Sequence, residues 1–220
     1  MNAKVIVWLM LLGSLFPQVM QAQLQWGDQS NGTYINPVLN ADYSDPDVIR
    51  VGDKYYMVAS DFHYMGMQVL ESIDMVNWRI ISQIYDRLDY PGWDSNKHFG
   101  GGSWAPSIRW HDGKFYVFFC TYDEGLFMSC ATDAKGPWSP LHCVREIPKW
   151  EDPCPFWDDD GQAYLGRSRH RAGPIIVHKM SPDGRELLRM LNIRSRARLM
   201  MPSRSSAAAK RNHRLLNCLR

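Results

Sequence analysis

Ser44-Asp45-Pro46-Asp47-Val48-Ile49 and Glu151-Asp152-Pro153-Cys154-Pro155-Phe156 are two versions of one segment. The first runs into Gly52-Asp53-Lys54-Tyr55-Tyr56-Met57-Val58-Ala59, and the second into Asp160-Gly161-Gln162-Ala163-Tyr164-Leu165. Between them, Trp104-Ala105-Pro106-Ser107-Ile108 leads to Asp112-Gly113-Lys114-Phe115-Tyr116-Val117-Phe118-Phe119, the same unit with Ala where the others carry Asp. A Pro-led apolar stretch, an Asp-Gly or Gly-Asp turn and a run of Tyr, Phe and Val read as strand, hairpin, strand.

Two copies continue into a third strand and an aromatic end, Val69 to Asp74 closing at Asn77-Trp78 and Phe127 to Asp133 closing at Gly136-Pro137-Trp138. Strand, hairpin, strand, hairpin, strand and an aromatic plug make one propeller blade. The Gly52, Gly113 and Gly161 turns recur at roughly 50 to 60 residues, a period that signals propellers or solenoids rather than one mixed sheet. The expected fold is all-β, with about three blades between residues 36 and 188.

The ends of the chain read differently. Lys4, the apolar Val5 to Phe16 and the small Ala22 before Gln23 predict a secretory signal peptide over residues 1–22, too short to span a bilayer comfortably. An N-terminal membrane anchor is the alternative. Residues 23–35 read as a linker. With the leader removed, no stable membrane insertion is expected, and the product is placed outside the cell or in the periplasm. The net charge of +2 suggests no nucleic-acid partner, and the positive charge is concentrated at the C-terminal end. From Leu187 to Arg220 there is no Asp or Glu, while Arg and Lys accumulate without a blade pattern. Residues 189–220 are therefore expected to be an aberrant basic tail, disordered and produced by a shifted reading frame; a genuine extension for an anionic partner is the alternative.

The five cysteines leave at least one unpaired. Cys120 and Cys130 fall on successive strands and could face each other. No spacing resembles a zinc site or a redox pair, and Asp158-Asp159-Asp160 before Gly161 reads as a solvated turn, so no metal and no cofactor are expected. Gly100-Gly101-Gly102 lacks the Lys-Ser/Thr of a phosphate loop and reads as a close backbone approach.

Asn36-Pro37-Val38-Leu39, Tyr43-Ser44-Asp45-Pro46-Asp47, Gly102-Ser103-Trp104-Ala105-Pro106, Gly113-Lys114-Phe115-Tyr116 and Glu151-Asp152-Pro153, in this order and spacing, resemble glycoside hydrolase family 43. The resemblance implies a five-bladed β-propeller with its active site on the central axis, acting with inversion on arabinose- or xylose-containing plant glycans. Inverting hydrolysis needs one ionised carboxylate to activate water and one protonated acid to protonate the leaving oxygen. By resemblance Asp45 is the general base and Asp152 the residue that tunes the acid's pKa and orients it. An isolated Asp-Pro is ordinarily a turn starter, and repetition at the inner strand tips both toward function. Asp47 could share the site, but bonding to nearby backbone is the better reading. Trp104 is expected to stack on a pentose, with Phe62 and His63, followed by Tyr64, near the rim. Trp78 and Trp138 read as core plugs.

The family's catalytic Glu lies in the blade after the third, and no residue here matches it; Glu186 reads as a turn residue. The expected function is an inverting glycosidase for an oligosaccharide or polysaccharide, inactive or severely impaired as this chain, with a non-catalytic carbohydrate-binding or degenerate propeller module as the alternative. A fructan-cleaving relative is weaker, since its Asn-Asp-Pro-Asn and Glu-Cys motifs are missing.

Overall fold

A computed structural model describes residues 26–63, 66–88, 100–171 and 173–191. The described strands form three four-stranded antiparallel sheets, each a meander in chain order. Blade 1 contains β1 (Asp47–Val51), β2 (Lys54–Val58), β3 (Gln68–Ser72) and β4 (Arg79–Gln83). Blade 2 contains β5 (Ser103–His111), β6 (Lys114–Thr121), β7 (Gly125–Ala131) and β8 (His142–Glu146). Blade 3 contains β9 (Trp150–Trp157), β10 (Ala163–Arg169), β11 (Ile176–Met180) and β12 (Leu187–Leu191). Blades stand where expected in all three copies, but each has a fourth strand, so that β4 and β8 follow Trp78 and Trp138, the positions read as the blade ends.

The chain divides into two compact units, 1–40 and 41–220. In the first, Asp28 and Tyr34 form an isolated bridge, and the Ile35 N–H donates to the Gly27 carbonyl at 2.9 Å. A short closed turn thus stands within the segment expected to be linker. The rest of this section concerns the second unit.

Successive side chains of a strand point to opposite faces, and β6 uses both. Phe115, Val117 and Phe119 enter one core cluster with Val58, Val69 and Ile108, while Tyr116, Phe118 and Cys120 enter another with Leu126, Trp150 and Leu165. The middle blade is therefore sandwiched, which explains why Phe115 to Cys120 has no polar alternation. Burying each such Phe is worth about 1.5–3 kcal/mol.

Polar contacts join blades 1 and 2. Ser103 N–H donates to the Asp61 carbonyl at 2.7 Å and Asp61 N–H returns to Ser103 at 2.9 Å. Gly102 permits this approach, because it sits at φ 48° and a Cβ there would lie 1.8 Å from the Asp61 oxygen. The close-approach reading holds for Gly102, at the seam of blades 1 and 2 rather than at the aspartate pocket, and not for Gly100, where a Cβ would meet nothing. Trp138 packs on the first cluster and its Nε1–H donates to Ser82 Oγ at 3.1 Å, as a plug should. Trp78 instead stays outside both clusters, donating to the Met75 carbonyl at 3.0 Å.

Two other expectations need correction. Cys120 faces Leu126 across the β6–β7 pair and Cys130 faces Tyr116, so the two thiols do not meet; both are free. They are ten residues apart around a short turn, and the register offsets them. Strand β12 continues to Leu191, three residues beyond the expected end of the blades at 188, because Leu187 to Leu191 pairs with β11 without needing acidic residues. The expected signal peptide and residues 192–220 of the tail lie outside the described residues.

Candidate active site

The inner strands lie in the order β1, β5, β9, with Asp45-Pro46 just before β1, Ala105-Pro106 within β5 and Asp152-Pro153 within β9. Asp45, Ala105 and Asp152 all adopt left-handed φ, at 50°, 37° and 55°. Such values are uncommon for residues other than Gly, although Asp tolerates them better than most. Ala105 adopts the same conformation with no carboxylate to benefit, so the blade architecture imposes it. The local ladder shows how. Trp104 pairs with Cys120 and Ser107 with Phe118, so Ala105 and Pro106 together oppose Phe119 alone. In blade 3, Glu151 pairs with Ser168 and Cys154 with Gly166, so Asp152 and Pro153 oppose Arg167 alone. A bulge of two residues against one bends the strand and re-aims its side chains.

The bend brings both aspartates to one pocket of about 370 Å³, lined also by Ala105, Arg109, Arg167 and Ser168. Equivalent serines hold them. Ser60 Oγ donates to Asp45 Oδ2 at 2.7 Å, and Ser168 Oγ to Asp152 Oδ2 at 3.1 Å. Ser60 pairs with Ser44 through its N–H, as Ser168 pairs with Glu151, so the two serines occupy one blade position. In blade 2 that position is Cys120, which means the Asp and its donor are missing together. Ser60 is itself oriented across the blades, since the Ala105 N–H donates to its Oγ at 2.8 Å. Asp45 Oδ1 receives no hydrogen bond from a described residue.

The two carboxylates have different surroundings. Burial pushes the Asp152 carboxyl above its ordinary range; the Ser168 hydroxyl opposes this, and the Glu151 and Asp45 charges add to it. Asp47 is not a free carboxylate. Its Oδ2 accepts from the Ile108 N–H at 2.8 Å and from Arg109 Nη1 at 2.5 Å, which fits the backbone-bonding reading and ties blade 1 to blade 2. Arg109 also donates to Cys154 Sγ at 3.3 Å and so reaches blade 3.

Aromatic residues surround this pocket without lining it. Trp104 adjoins Ala105, and its ring lies 5.4 Å from Tyr122 and 5.5 Å from His170. His170 Nδ1 is 3.0 Å from Glu151 Oε2, beside Asp152. Phe62 and His63 line a second depression of about 240 Å³ with Ser60, Asp61 and Tyr43, and Ser60 links it to Asp45. Tyr64 lies outside the described residues. A larger depression of about 700 Å³, bordered by Tyr85, Asp86, Trp138 and Leu141, lacks a pair of carboxylates.

Two other acidic stretches lie in turns. Asp158 to Gly161 is a turn closed by Gly161 N–H to the Asp158 carbonyl at 2.9 Å. Glu186 closes the turn after β11 through its N–H to Ser181 Oγ at 2.9 Å, away from the pocket. No cluster of three metal-ligating side chains occurs among the described residues. The sequence reading missed Ser60, Ser168, Arg109 and Arg167; the recurrence of Ser 15 and 16 residues after each Asp was the available signal for two of them.

The chain is similar to several known proteins. Residues 34–200 match the profile of "Glycosyl hydrolases family 43". A protein of Xylanibacter ruminicola described as "Putative beta-xylosidase" is 71% identical over 163 residues, which cover 74% of this chain and 30% of that protein. A Formosa agariphila "Beta-xylosidase" is 38% identical, covering 78% of this chain and 32% of the relative. Among solved structures, a Bacteroides ovatus xyloglucan-locus GH43B superposes with TM-score 0.59 and 29% identity, covering 71% of this chain and 31% of the other. A Bacillus halodurans xylan β-1,4-xylosidase superposes with TM-score 0.58 and 30% identity, covering 70% and 32%. The chain spans about 30% of the length of the curated relatives it matches.

Proposed function

The chain belongs to glycosyl hydrolase family 43, and from that premise we propose that it carries the water-activating part of an inverting glycosidase site for xylose- or arabinose-containing glycans. One observation carries the reading: Asp45 and Asp152 occupy the same left-handed Asp-Pro position in two blades, line one pocket and each take a hydrogen bond from an equivalent serine.

Asp45 acts as the general base. Ser60 holds Oδ2, leaving Oδ1 to take a proton from a water as its oxygen attacks the anomeric carbon. The bond to the leaving oxygen breaks with its electron pair, and a separate acid protonates that oxygen. Asp152, a second carboxylate in the same pocket, when ionised disfavours ionisation of that acid nearby and so helps keep it protonated. Trp104, Phe62 and His63 serve sugar units at the edge of the pocket, and residues 1–22 direct export toward a polymeric substrate.

Among the described residues, the one other carboxylate lining this pocket, Asp47, is engaged by Arg109 and Ile108. By the family resemblance the protonating Glu lies in the blade after the third, and on that reading this stretch by itself binds sugar with little or no hydrolysis. The same observation favours a second reading, a carbohydrate-binding module. Hydrolysis of nitrophenyl β-xyloside and α-arabinofuranoside tests the choice, in this chain and in a chimera joining residues 1–186 to the following sequence of the Xylanibacter ruminicola relative. Activity in the chimera supports the catalytic reading. A correctly folded chimera that binds pentosides without cleaving them supports the binding module instead.

A further inference from the structure

Arg167 stands at a position where the other blades bury apolar side chains. The residue opposing each Pro-led bulge is Ala59 in blade 1, Phe119 in blade 2 and Arg167 in blade 3. Ala59 is 6% exposed and Phe119 fully buried; Arg167 is 7% exposed. A guanidinium is costly in such a place unless it is paired.

No carboxylate within ion-pair range balances it among the described residues. Its guanidinium carbon lies 3.5 Å from the centre of the Trp150 ring, and its Nε–H donates to His178 Nε2 at 3.2 Å. Burial, with the Arg167 and Arg145 charges, lowers the His178 pKa to about 4, so the ring is neutral at neutral pH and able to accept that bond. These contacts hold the fork in place and use one N–H. The two Nη groups make no hydrogen bond to a described residue. Arg167 lines the pocket of Asp45 and Asp152 together with its neighbour Ser168. Consecutive strand residues ordinarily face opposite ways, yet both line this pocket.

We propose that Arg167 is a substrate-binding residue whose two Nη groups donate hydrogen bonds to hydroxyl oxygens of a neutral pentose seated between Asp45 and Asp152. The neutral class follows from the surroundings. Two carboxylates in the same pocket repel an anionic sugar, whereas a polyol donates its hydroxyl protons to the carboxylates and offers its oxygens to the guanidinium. The assignment rests on the glycosidase reading.

The test uses the full chain with xylose, arabinose and xylobiose as probes. Arginine side-chain NMR resonances are followed through each titration, with Trp fluorescence reporting on Trp150. The Arg167 Nη signals should shift and saturate along the binding curve. Arg167→Met should weaken binding roughly 10- to 100-fold, as expected for hydrogen bonds from a charged donor. Arg167→Lys keeps the charge, loses the fork and should recover only part of the affinity; it also serves if the Met variant does not fold. If pentoses bind with Asp45-dependent affinity while Arg167 stays silent and Arg167→Lys binds as well as the parent, this assignment fails and the glycosidase reading survives. If no probe binds the folded parent chain, both fail. Binding of glucuronic acid in preference to xylose overturns the neutral-sugar assignment.

Discussion

Removing the Asp47 carboxylate should cost more than removing the arginine paired with it, and the difference can be worked from the contacts. Asp47 Oδ2 accepts from both the Ile108 N–H and Arg109 Nη1, and the side chains are 29% and 25% exposed, so water screens the pair only in part. A charge-assisted bond contributes about 1.5–3 kcal/mol, and partial exposure argues for the lower end. Asp47→Ala also strands the N–H of Ile108, a residue with no exposed surface, at a further cost of about 1–3 kcal/mol. The single variants should thus lose about 3–4 kcal/mol for Asp47→Ala and about 1.5–2 kcal/mol for Arg109→Ala in urea unfolding. The double variant should lose less than the sum of the singles by a coupling of about 1–2 kcal/mol, its loss beyond Asp47→Ala coming from the Arg109 bonds to the Ile108 carbonyl and Cys154 Sγ. Asp47 begins β1 two residues after Asp45, so pentose affinity should fall with the tether in the same order. Equal losses in the two singles, or additivity within about 0.3 kcal/mol, would refute the reasoning that one oxygen joins blade 1 to both the backbone and the arginine of blade 2.

Other outcomes follow from the same contacts. Burial raises the Cys120 thiol pKa, so Cys120 should resist a thiol reagent in the folded chain while the partly exposed Cys130 and Cys143 react; equal rates would contradict the packing of β6. Burial opposes ionisation of Asp74, but Asn77 and Val76 N–H groups outweigh it and hold its pKa at about 2. Burial likewise depresses His178 to about 4. Both groups bind protons more weakly folded than unfolded, so acidification must destabilise: His178 as pH falls from 6.5 toward 4, and Asp74 from 3.8 toward 2. His178→Gln should flatten the first limb and Asp74→Asn the second in pH-dependent unfolding, and unchanged limbs would count against these environments. In the chimera, Asp152→Ala should depress cleavage of natural xylosides more than of nitrophenyl xyloside, whose leaving group needs less protonation; equal losses would point to a different role.

The blades were legible because their signals are local. Each Asp-Gly turn, each apolar run and each Pro sits within a few residues of the strand it specifies, and the uninterrupted run of β6 marks the blade covered on both faces. The paired aspartates were legible as repeats of one motif. Their serines were not, because Ser60 and Ser168 meet them only through hairpin registers that include a bulge, and a one-residue slip reverses the face of a side chain. The bulge also separates Trp104 from the pocket lining that Ala105 reaches. Arg167 lies in a strand beside Arg169 and His170 and, as sequence, resembles a solvated edge; only alignment of the three registers shows it in a core position. The end of blade 3 was misplaced because loss of acidic residues marks a change in composition, whereas strand pairing of Leu187 to Leu191 needs only backbone and apolar side chains.

The central claim is that Asp45 activates the water, and the chimera carrying Asp45→Ala tests it most directly, assayed on nitrophenyl xyloside and on xylobiose. Removal of the base should reduce turnover on both substrates alike, by roughly 10²- to 10⁴-fold, because neither supplies a substitute proton acceptor. An Asp45→Ala chimera that hydrolyses either substrate at the rate of its parent would contradict the account.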